Sequence, residues 1–300
     1  MVYHVQFPGL GLDLTVNRVA LAIGGFNIYW YGVIIAAGML LAMLYAFRNA
    51  VDYGIDSDRL VDVVAIGTVM AIVCARIYYV AMAPFAYQSL WEMIDIRKGG
   101  IAIYGAVIGA FVFGGLAAKW RKVPLLPLFD LVSLGFLIGQ GIGRWGNFMN
   151  REAFGAATEL PWRMRLWTSA TTYMDVHPTF LYESLWNVIG LLLLYFVVSR
   201  ARRFDGENTC FYFIWYGLGR FWIEGLRTDS LYLFHWTLFG QRIRVSQALS
   251  LVMVLVCAGI LVYQLKVKKA DGANLFVKRV QQTTEAEEAA AEPTAPDEKQ

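Results

Sequence analysis

"PLFDLVSLGFLIGQGIGRWGNFMNREAFG", residues 127–155, runs from an apolar stretch of near-membrane length into two arginines, two asparagines and a glutamate. Apolar residues at 127–143 read as a membrane span, because a helix of roughly 20 apolar residues crosses a bilayer. The polar residues that follow are expensive beside lipid and are kept there for use. Glycines and arginines crowd the end of this span. Non-helical backbone at that depth survives only where protein or a water-filled cavity buries it.

Working outward, further apolar runs fall at 30–47, 60–80, 100–118, 179–198, 208–223 and 246–265, so the chain reads as an all-α polytopic membrane protein with about seven transmembrane helices and periplasmic or extracellular loop and head elements. Composition agrees: 58% of residues are hydrophobic and 16% charged, against about 25% charged in an ordinary soluble domain. The first residues, "MVYHVQFPGLGL", carry neither a basic start nor a cleavage pattern, so the first span is expected to target the chain itself. Residues 1–269 form the membrane domain. Residues 270–300 turn polar, Ala/Glu-rich and Pro-containing, and are expected to be a disordered tail.

Three tight basic clusters abut the spans, Lys119/Arg121/Lys122, Arg200/Arg202/Arg203 and Lys266/Lys268/Lys269. All fall on one side of a seven-span arrangement. The positive-inside rule makes that side cytoplasmic and puts the N-terminus outside. The other side holds almost as many cations, among them Arg97, Lys98, Arg144, Arg151, Arg163, Arg165, Arg227, Arg242 and Arg244, an excess that points to an outward-facing functional site. Cys74, Cys210 and Cys257 have no paired spacing, and His4, His177 and His235 are far apart. Neither a metal site nor a disulfide framework is expected, and no cofactor.

On a helix, Arg144, Asn147 and Arg151 share one face, with the small-residue ladder Gly135, Gly139 and Gly143 before them. A guanidinium offers five donors in a fork suited to phosphate or carboxylate, and asparagine adds neutral donors and an acceptor. One arginine alone would read as a membrane-exit residue snorkelling to headgroups. Asn147, Asn150 and Glu152 in the same stretch point to a site. The second cluster, "WYGLGRFWIEGLRTD" (215–229), sets Tyr216, Arg220, Glu224 and Arg227 on one helical stripe. Glu224 and Arg227 are either ligand contacts or parts of a buried Arg–Glu–Arg bridge, and Arg220 is the stronger ligand candidate. "RKGGIAIYGAVIGA" (97–110) pins Tyr104 beside close-packing glycines. "NIYWYGVIIAAG" (27–38) places Tyr31 in an aromatic belt. "DVHPTFLYESLWN" (175–187) puts His177 at a helix start, where it could cap or titrate. Arg76, inside a span, requires a partner, either lipid phosphate or Glu183.

These motifs resemble the prolipoprotein diacylglyceryl transferases. The GRxGNFxNxExxG signature of that family is met by Gly143, Arg144, Gly146, Asn147, Phe148, Asn150, Glu152 and Gly155, and "YWYG" (29–32), "CARIYY" (74–79), "GGIAIYG" (99–105), "HPTFLYES" (177–184) and "GRFWIEGLR" (219–227) follow in the family's order. The resemblance implies seven spans, an outward N-terminus in the bacterial plasma (inner) membrane, and transfer of the diacylglyceryl group of phosphatidylglycerol to the lipobox cysteine thiol of a prolipoprotein, with glycerol phosphate released. It further implies that Arg144 binds the lipid headgroup, that Asn147 and Gly155 are important signature positions, that Tyr31 is essential, and that Arg220, Glu224 and Arg227 are the sixth-span set. Many members carry histidine where this chain has Tyr104, so the proton acceptor is left between a phenolate stabilised by arginines and the lipid phosphate itself. The nucleophile comes with the substrate, and nucleic acid has no place in this chemistry. The rival reading is a transporter or flippase of anionic lipid or solute, which would also set arginines in glycine-rich spans. No duplicated half is visible to favour it.

Overall fold

The computed structural model describes residues 2–24, 26–85, 87–96, 99–169, 171–228, 232–238 and 241–291. Arg97 and Lys98 lie outside them, as do the side chains of His235 and Arg242 and the end of the tail. The helices, in chain order, are α1 (Trp30–Asn49), α2 (Ser57–Ala81), the short α3 (Leu90–Ile94), α4 (Ile103–Trp120), α5 (Leu125–Asn150), α6 (Thr179–Leu193), α7 (Glu207–Leu226), α8 (Val245–Val262) and α9 (Phe276–Ala291). Among the described residues six helices are long and apolar enough to cross a membrane: α1, α2, α4, α5, α6 with its extension to Ala201, and α8 with its extension to Val267. The expected sixth span is present as α7, 20 residues long. Glu207, Asn208, Arg220 and Glu224 make it more polar than its neighbours. The protein is a multi-pass helical membrane protein.

Two compact units divide the chain, Met1–Ala46 with Asp130–Leu275, and Phe47–Phe129 with Phe276–Gln300. In the second, α2 and α4 pack along a seam of small residues. Gly105 and Gly109 lie so close to Cys74, Ala75 and Met70 that a Cβ at either would overlap the facing helix. That is the close backbone approach small residues permit in membranes. Asp62 and Arg121 close the other end of this pair at 2.7 Å. Residues 276–291, expected to be disordered, form α9. Their Ala, Glu, Gln and Lys content carries high intrinsic helix propensity, and Phe276 and Val277 lie against Gly54.

In the first unit the glycine ladder of α5 faces α1: a Cβ at Gly143 would meet Ile35 at 3.2 Å, and one at Gly38 would meet Ile142 at 3.4 Å. Helices α6 and α7 are clamped by Trp186 and Trp215. Each indole donates to the other's main-chain carbonyl, at 2.9 and 2.8 Å, and the rings stack at 4.4 Å. Gly219 and Gly190 leave the space those rings occupy. At the start of α7, buried Asp130 of α5 accepts from Gly206 N–H (2.7 Å), Thr209 N–H (2.9 Å) and Thr209 Oγ1 (2.8 Å).

The head elements are β-structure, which the all-α expectation did not anticipate. β1 (Val2–Phe7), β2 (Leu12–Asn17), β5 (Met164–Trp167) and β6 (Tyr173–Val176) form an antiparallel sheet in the order β2-β1-β5-β6, while β3 (Val19–Ile23) pairs with β4 (Phe26–Tyr29) and β7 (Tyr232–Leu238) with β8 (Gln241–Arg244). Strand alternation turns Val5, Phe7, Val16, Met164, Leu166 and Val176 onto Phe148 of α5 and Phe180 of α6. The sheet thus rests on the polar end of α5. Across β5 and β6, Arg165 forks onto Asp175 at 2.7 and 2.8 Å, and Arg163 adds a bond of 2.8 Å. The Arg165 bonds, then those of Arg163, hold the Asp175 carboxyl below the usual carboxylate range. A depressed carboxylate contributes stability that is present above its unfolded pKa of about 3.9 and lost as pH falls through the folded value. Asp175→Asn is therefore expected to destabilise the protein by roughly 1–2 kcal/mol at pH 7. Thermal unfolding in detergent should show the gap between parent and variant constant from about pH 5 to 8 and closing below about pH 4. A gap that stays constant as pH falls below about 3.9 would contradict the charge argument.

Candidate active site

The site is built from the ends of α5, α6 and α7. Helix α5 continues to Asn150, so Arg144 and Asn147 share a face as expected, and Arg144 Nη1 donates to Asn147 Oδ1 at 3.3 Å. The chain then turns sharply. Arg151 (φ 54°) and Ala153 (φ 56°) both adopt the left-handed conformation, which is unusual without glycine and accumulates where surrounding structure over-determines it. That turn brings Glu152 back to accept from Asn147 Nδ2 at 2.9 Å and Asn150 Nδ2 at 3.3 Å. Asn150 Oδ1 in turn accepts from Arg18 Nε at 3.4 Å. Arg151, expected on the Arg144 face, points elsewhere: the helix has ended, and its guanidinium donates to Trp167 O on β5 at 2.5 Å.

Glu183 of α6 is the hub of the site. Its Oε2 is ion-paired with Arg144 Nη2, and its Oε1 lies 3.6 Å from both Arg220 Nη1 and Arg227 Nη1. Arg220 Nη2 also reaches Glu224 Oε2, at 2.6 Å. Arg244, at the start of α8, donates to the Glu224 main-chain carbonyl. Both carboxylates are buried, and burying charge is tolerated only with such pairing. The expected stripe is broken at its end: Arg220 pairs with Glu224 one turn on, whereas Arg227 lies just past α7 in extended backbone and turns to Glu183 instead. Arg220 Nη1 is buried and has no hydrogen-bond partner among the described residues. Sequence reasoning named Glu183 only as a possible partner of Arg76. An acid set within the apolar run "TFLYESLWN" was the available signal. Ser184, also missed, accepts from Trp145 Nε1 at 3.2 Å and donates to Gly141 O at 2.9 Å, holding α6 to α5 beside the Arg144–Glu183 pair.

Tyr31 lies beneath the signature helix, where a Cβ at Gly146 would stand 2.8 Å from the tyrosine ring, so that glycine makes room for it. Gly155 sits at a junction. It donates to His177 O at 3.0 Å, bridges to Arg227, and has no space for a Cβ between His177, Leu226 and Thr179. His177 follows β6 directly. Its Nδ1 lies 3.3 Å from the Tyr182 hydroxyl, and burial lowers its pKa, which keeps the ring neutral at physiological pH. Its main chain, bonded to both Gly155 and Ala156, is what ties it to the site.

Arg76 and Tyr104 belong to the other unit. The partners that Arg76 has within its own unit are main-chain groups. Its guanidinium donates to the main-chain carbonyls of Glu92, Met93, Gly99 and Gly100 at 2.6–3.0 Å. Gly99 and Gly100, both at positive φ, bend the chain around it ahead of α4. Tyr104 opens α4, its ring 6.1 Å from that of Tyr78. No group of three or more His, Cys, Asp or Glu that could hold a metal occurs among the described residues.

A family model described as prolipoprotein diacylglyceryl transferase matches residues 18–263, which include every residue of this arginine cage. The phosphatidylglycerol–prolipoprotein diacylglyceryl transferase of Lysinibacillus sphaericus (strain C3-41) is 41% identical over 270 residues, covering 86% of this chain and 96% of its own. Proteins of the same name from Finegoldia magna (strain ATCC 29328 / DSM 20472 / WAL 2508) and Bacillus cereus (strain 03BB102) are each 40% identical, over 84% and 87% of this chain and 96% and 97% of theirs. With most of its length matched in both comparisons, the chain belongs to the prolipoprotein diacylglyceryl transferase family.

Proposed function

We propose that this transferase moves the diacylglyceryl group of phosphatidylglycerol onto the thiol of the lipobox cysteine of prolipoproteins and releases glycerol phosphate, the first step of bacterial lipoprotein maturation. The observation that carries the reading is the convergence of Arg144, Arg220 and Arg227 on Glu183, with the buried Arg220 Nη1 lacking an acceptor among the described residues. A cage with donor capacity to spare suits an anionic phosphodiester. Oriented guanidinium groups in a dry site also stabilise charge on the departing oxygens. The thiol sulfur bonds to the glycerol carbon, the carbon–oxygen bond to phosphate breaks, and its electron pair leaves on the phosphate oxygen. Arg144 and Arg220 hold that phosphate. Asn147, Asn150 and Glu152 form the network that fixes Arg144, while Tyr31 and Gly155 shape its surroundings. Glu224 braces Arg220, Arg227 shares Glu183 with it, and His177 supports the Gly155 junction. The membrane is the bacterial plasma (inner) membrane, with the N-terminus outside and the tail cytoplasmic, as the three basic clusters support. Residues 1–269 are the enzyme domain. Proteoliposomes holding the protein, phosphatidylglycerol and a lipobox peptide should yield a thioether-linked diacylglyceryl peptide and one glycerol phosphate per turnover. Lipid movement without thiol alkylation would refute the reading.

Tyr104 enters through its motif, and we assign it to headgroup positioning, because a phenol hydroxyl is a good hydrogen-bond donor and a poor general base. Tyr104→Phe is expected to raise the KM for phosphatidylglycerol about tenfold with a smaller change in kcat, a loss matching one hydrogen bond to a charged group. Kinetics of the parent and variant between about pH 6 and 9 distinguish the roles. An unchanged KM with a collapsed kcat would make the phenol the proton acceptor.

A further inference from the structure

Glu183 stands in the middle of the cations that the proposed reaction needs. It contacts Arg144 and lies 3.6 Å from guanidinium nitrogens of Arg220 and Arg227. Three guanidinium groups thus face two carboxylates, Glu183 and Glu224, while Arg244 donates to the Glu224 main-chain carbonyl. Glu224 is directed at Arg220, whereas Glu183 touches or approaches all three.

The charges on the two sides of the reaction explain why an anion would be kept in an anion site. The substrate phosphodiester carries one negative charge. When the glycerol carbon transfers to sulfur, the bonding pair stays on the phosphate oxygen and the thiol proton passes to solvent or to that phosphate. A phosphate monoester titrates near ~6 in its second step, so glycerol phosphate leaves with about −1.5 to −2 at neutral pH. Product is thus more anionic than substrate. A cage of uncompensated arginines would hold it harder than the lipid it must next admit, since each added positive charge favours the more highly charged ligand. Product release is a common limit on turnover.

Resting on the function proposed above, we propose that Glu183 is a specificity-determining residue that lowers the potential of the arginine cage, so that phosphodiester is bound and phosphate monoester is let go. Glu183→Gln keeps the shape and removes the charge. Transfer is measured in proteoliposomes with phosphatidylglycerol, a lipobox peptide and added glycerol phosphate as inhibitor. The Gln variant is expected to show an inhibition constant for glycerol phosphate at least about tenfold lower than the parent, a KM for phosphatidylglycerol that is lowered much less, and a reduced kcat. Arg227→Gln should do the reverse, weakening glycerol phosphate inhibition more than it raises KM. The double variant Glu183→Gln/Arg227→Gln, with the parental net charge, should return the ratio of the two constants towards the parent's. A purely structural carboxylate would lower the amount of folded protein and leave that ratio unmoved, and an unmoved ratio overturns the proposal. Should the Gln variant not accumulate, Arg227→Gln decides alone: equal weakening of substrate and product refutes charge tuning. Failure of the parent to alkylate the peptide would refute the proposed function, whereas alkylation with an unmoved ratio refutes only the role of Glu183.

Discussion

Arg144→Ala is expected to lower diacylglyceryl transfer by about 10²–10³-fold or more, the scale for removing one donor from a preorganised site of developing charge, while the protein still accumulates in the membrane. The asymmetry between activity and folding follows from the surroundings of Glu183. Without Arg144 the carboxylate keeps Arg220 and Arg227 close by, so the buried charge is not abandoned. The packing of α5 also rests on Gly135, Gly143, Phe148 and the leucines of its inner face rather than on the guanidinium. Arg144→Lys should lose nearly as much. One guanidinium now pairs Glu183 through Nη2 and Asn147 through Nη1, and a single ammonium cannot present two fixed donors in that geometry. Transfer assays on membranes normalised for protein amount test both variants. A lysine variant at more than about a third of parental turnover would show that charge alone suffices, since loss of a fork should cost at least tenfold.

The membrane helices were legible because their signal is a property of many residues at once. An apolar run of about 20 residues has few alternatives, and α1, α2, α4, α5, α6 and α8 fall where those runs predict. The glycine ladder of α5 and the Gly105/Gly109 seam of α4 were legible for the same reason, as spacing along one helix. What was not legible depends on which segments meet. The sheet joins β1 with β5, some 160 residues apart, and each strand is too short to stand out beside the spans. The alternation in "VYHVQF" could be read only once a partner was known. Glu183 illustrates the same limit within the site. Its neighbours Arg144, Arg220 and Arg227 come from α5, from α7 and from just beyond the end of α7, so its role is a fact of packing, whereas Arg220 and Glu224, one turn apart, could be paired on sight. Arg76 was recognised as needing partners, but the main-chain carbonyls that a loop offers it could not be named, because they leave no mark in side-chain identity.

Asp130 illustrates that limit at its most consequential, and Asp130→Ala is the stability change expected to be largest. In sequence it is a lone acid near the start of an apolar run, four residues before Leu134. In the fold it is fully buried and caps the first turn of α7, accepting from Gly206 N–H, Thr209 N–H and the Thr209 hydroxyl, with Arg202 Nη1 3.9 Å away. The first N–H groups of a helix have no partner within it, and in an apolar interior each one left without an acceptor costs about 1–3 kcal/mol. Removing the carboxylate strands three donors in an apolar interior and takes a carboxylate from beside Arg202, a combination worth roughly 3–5 kcal/mol. Asp130→Asn should rescue only in part, since its carbonyl oxygen can still accept from Thr209 while its amide turns a donor towards the Gly206 N–H. Because the Trp186–Trp215 clamp and the Arg220–Glu183 approach both hang on the placement of α7, activity should fall in proportion to folded protein and no further. Thermal denaturation in detergent, with transfer rate per folded molecule, checks this: a variant of parental stability, or one fully folded but inactive, would show that the cap does something other than seat α7.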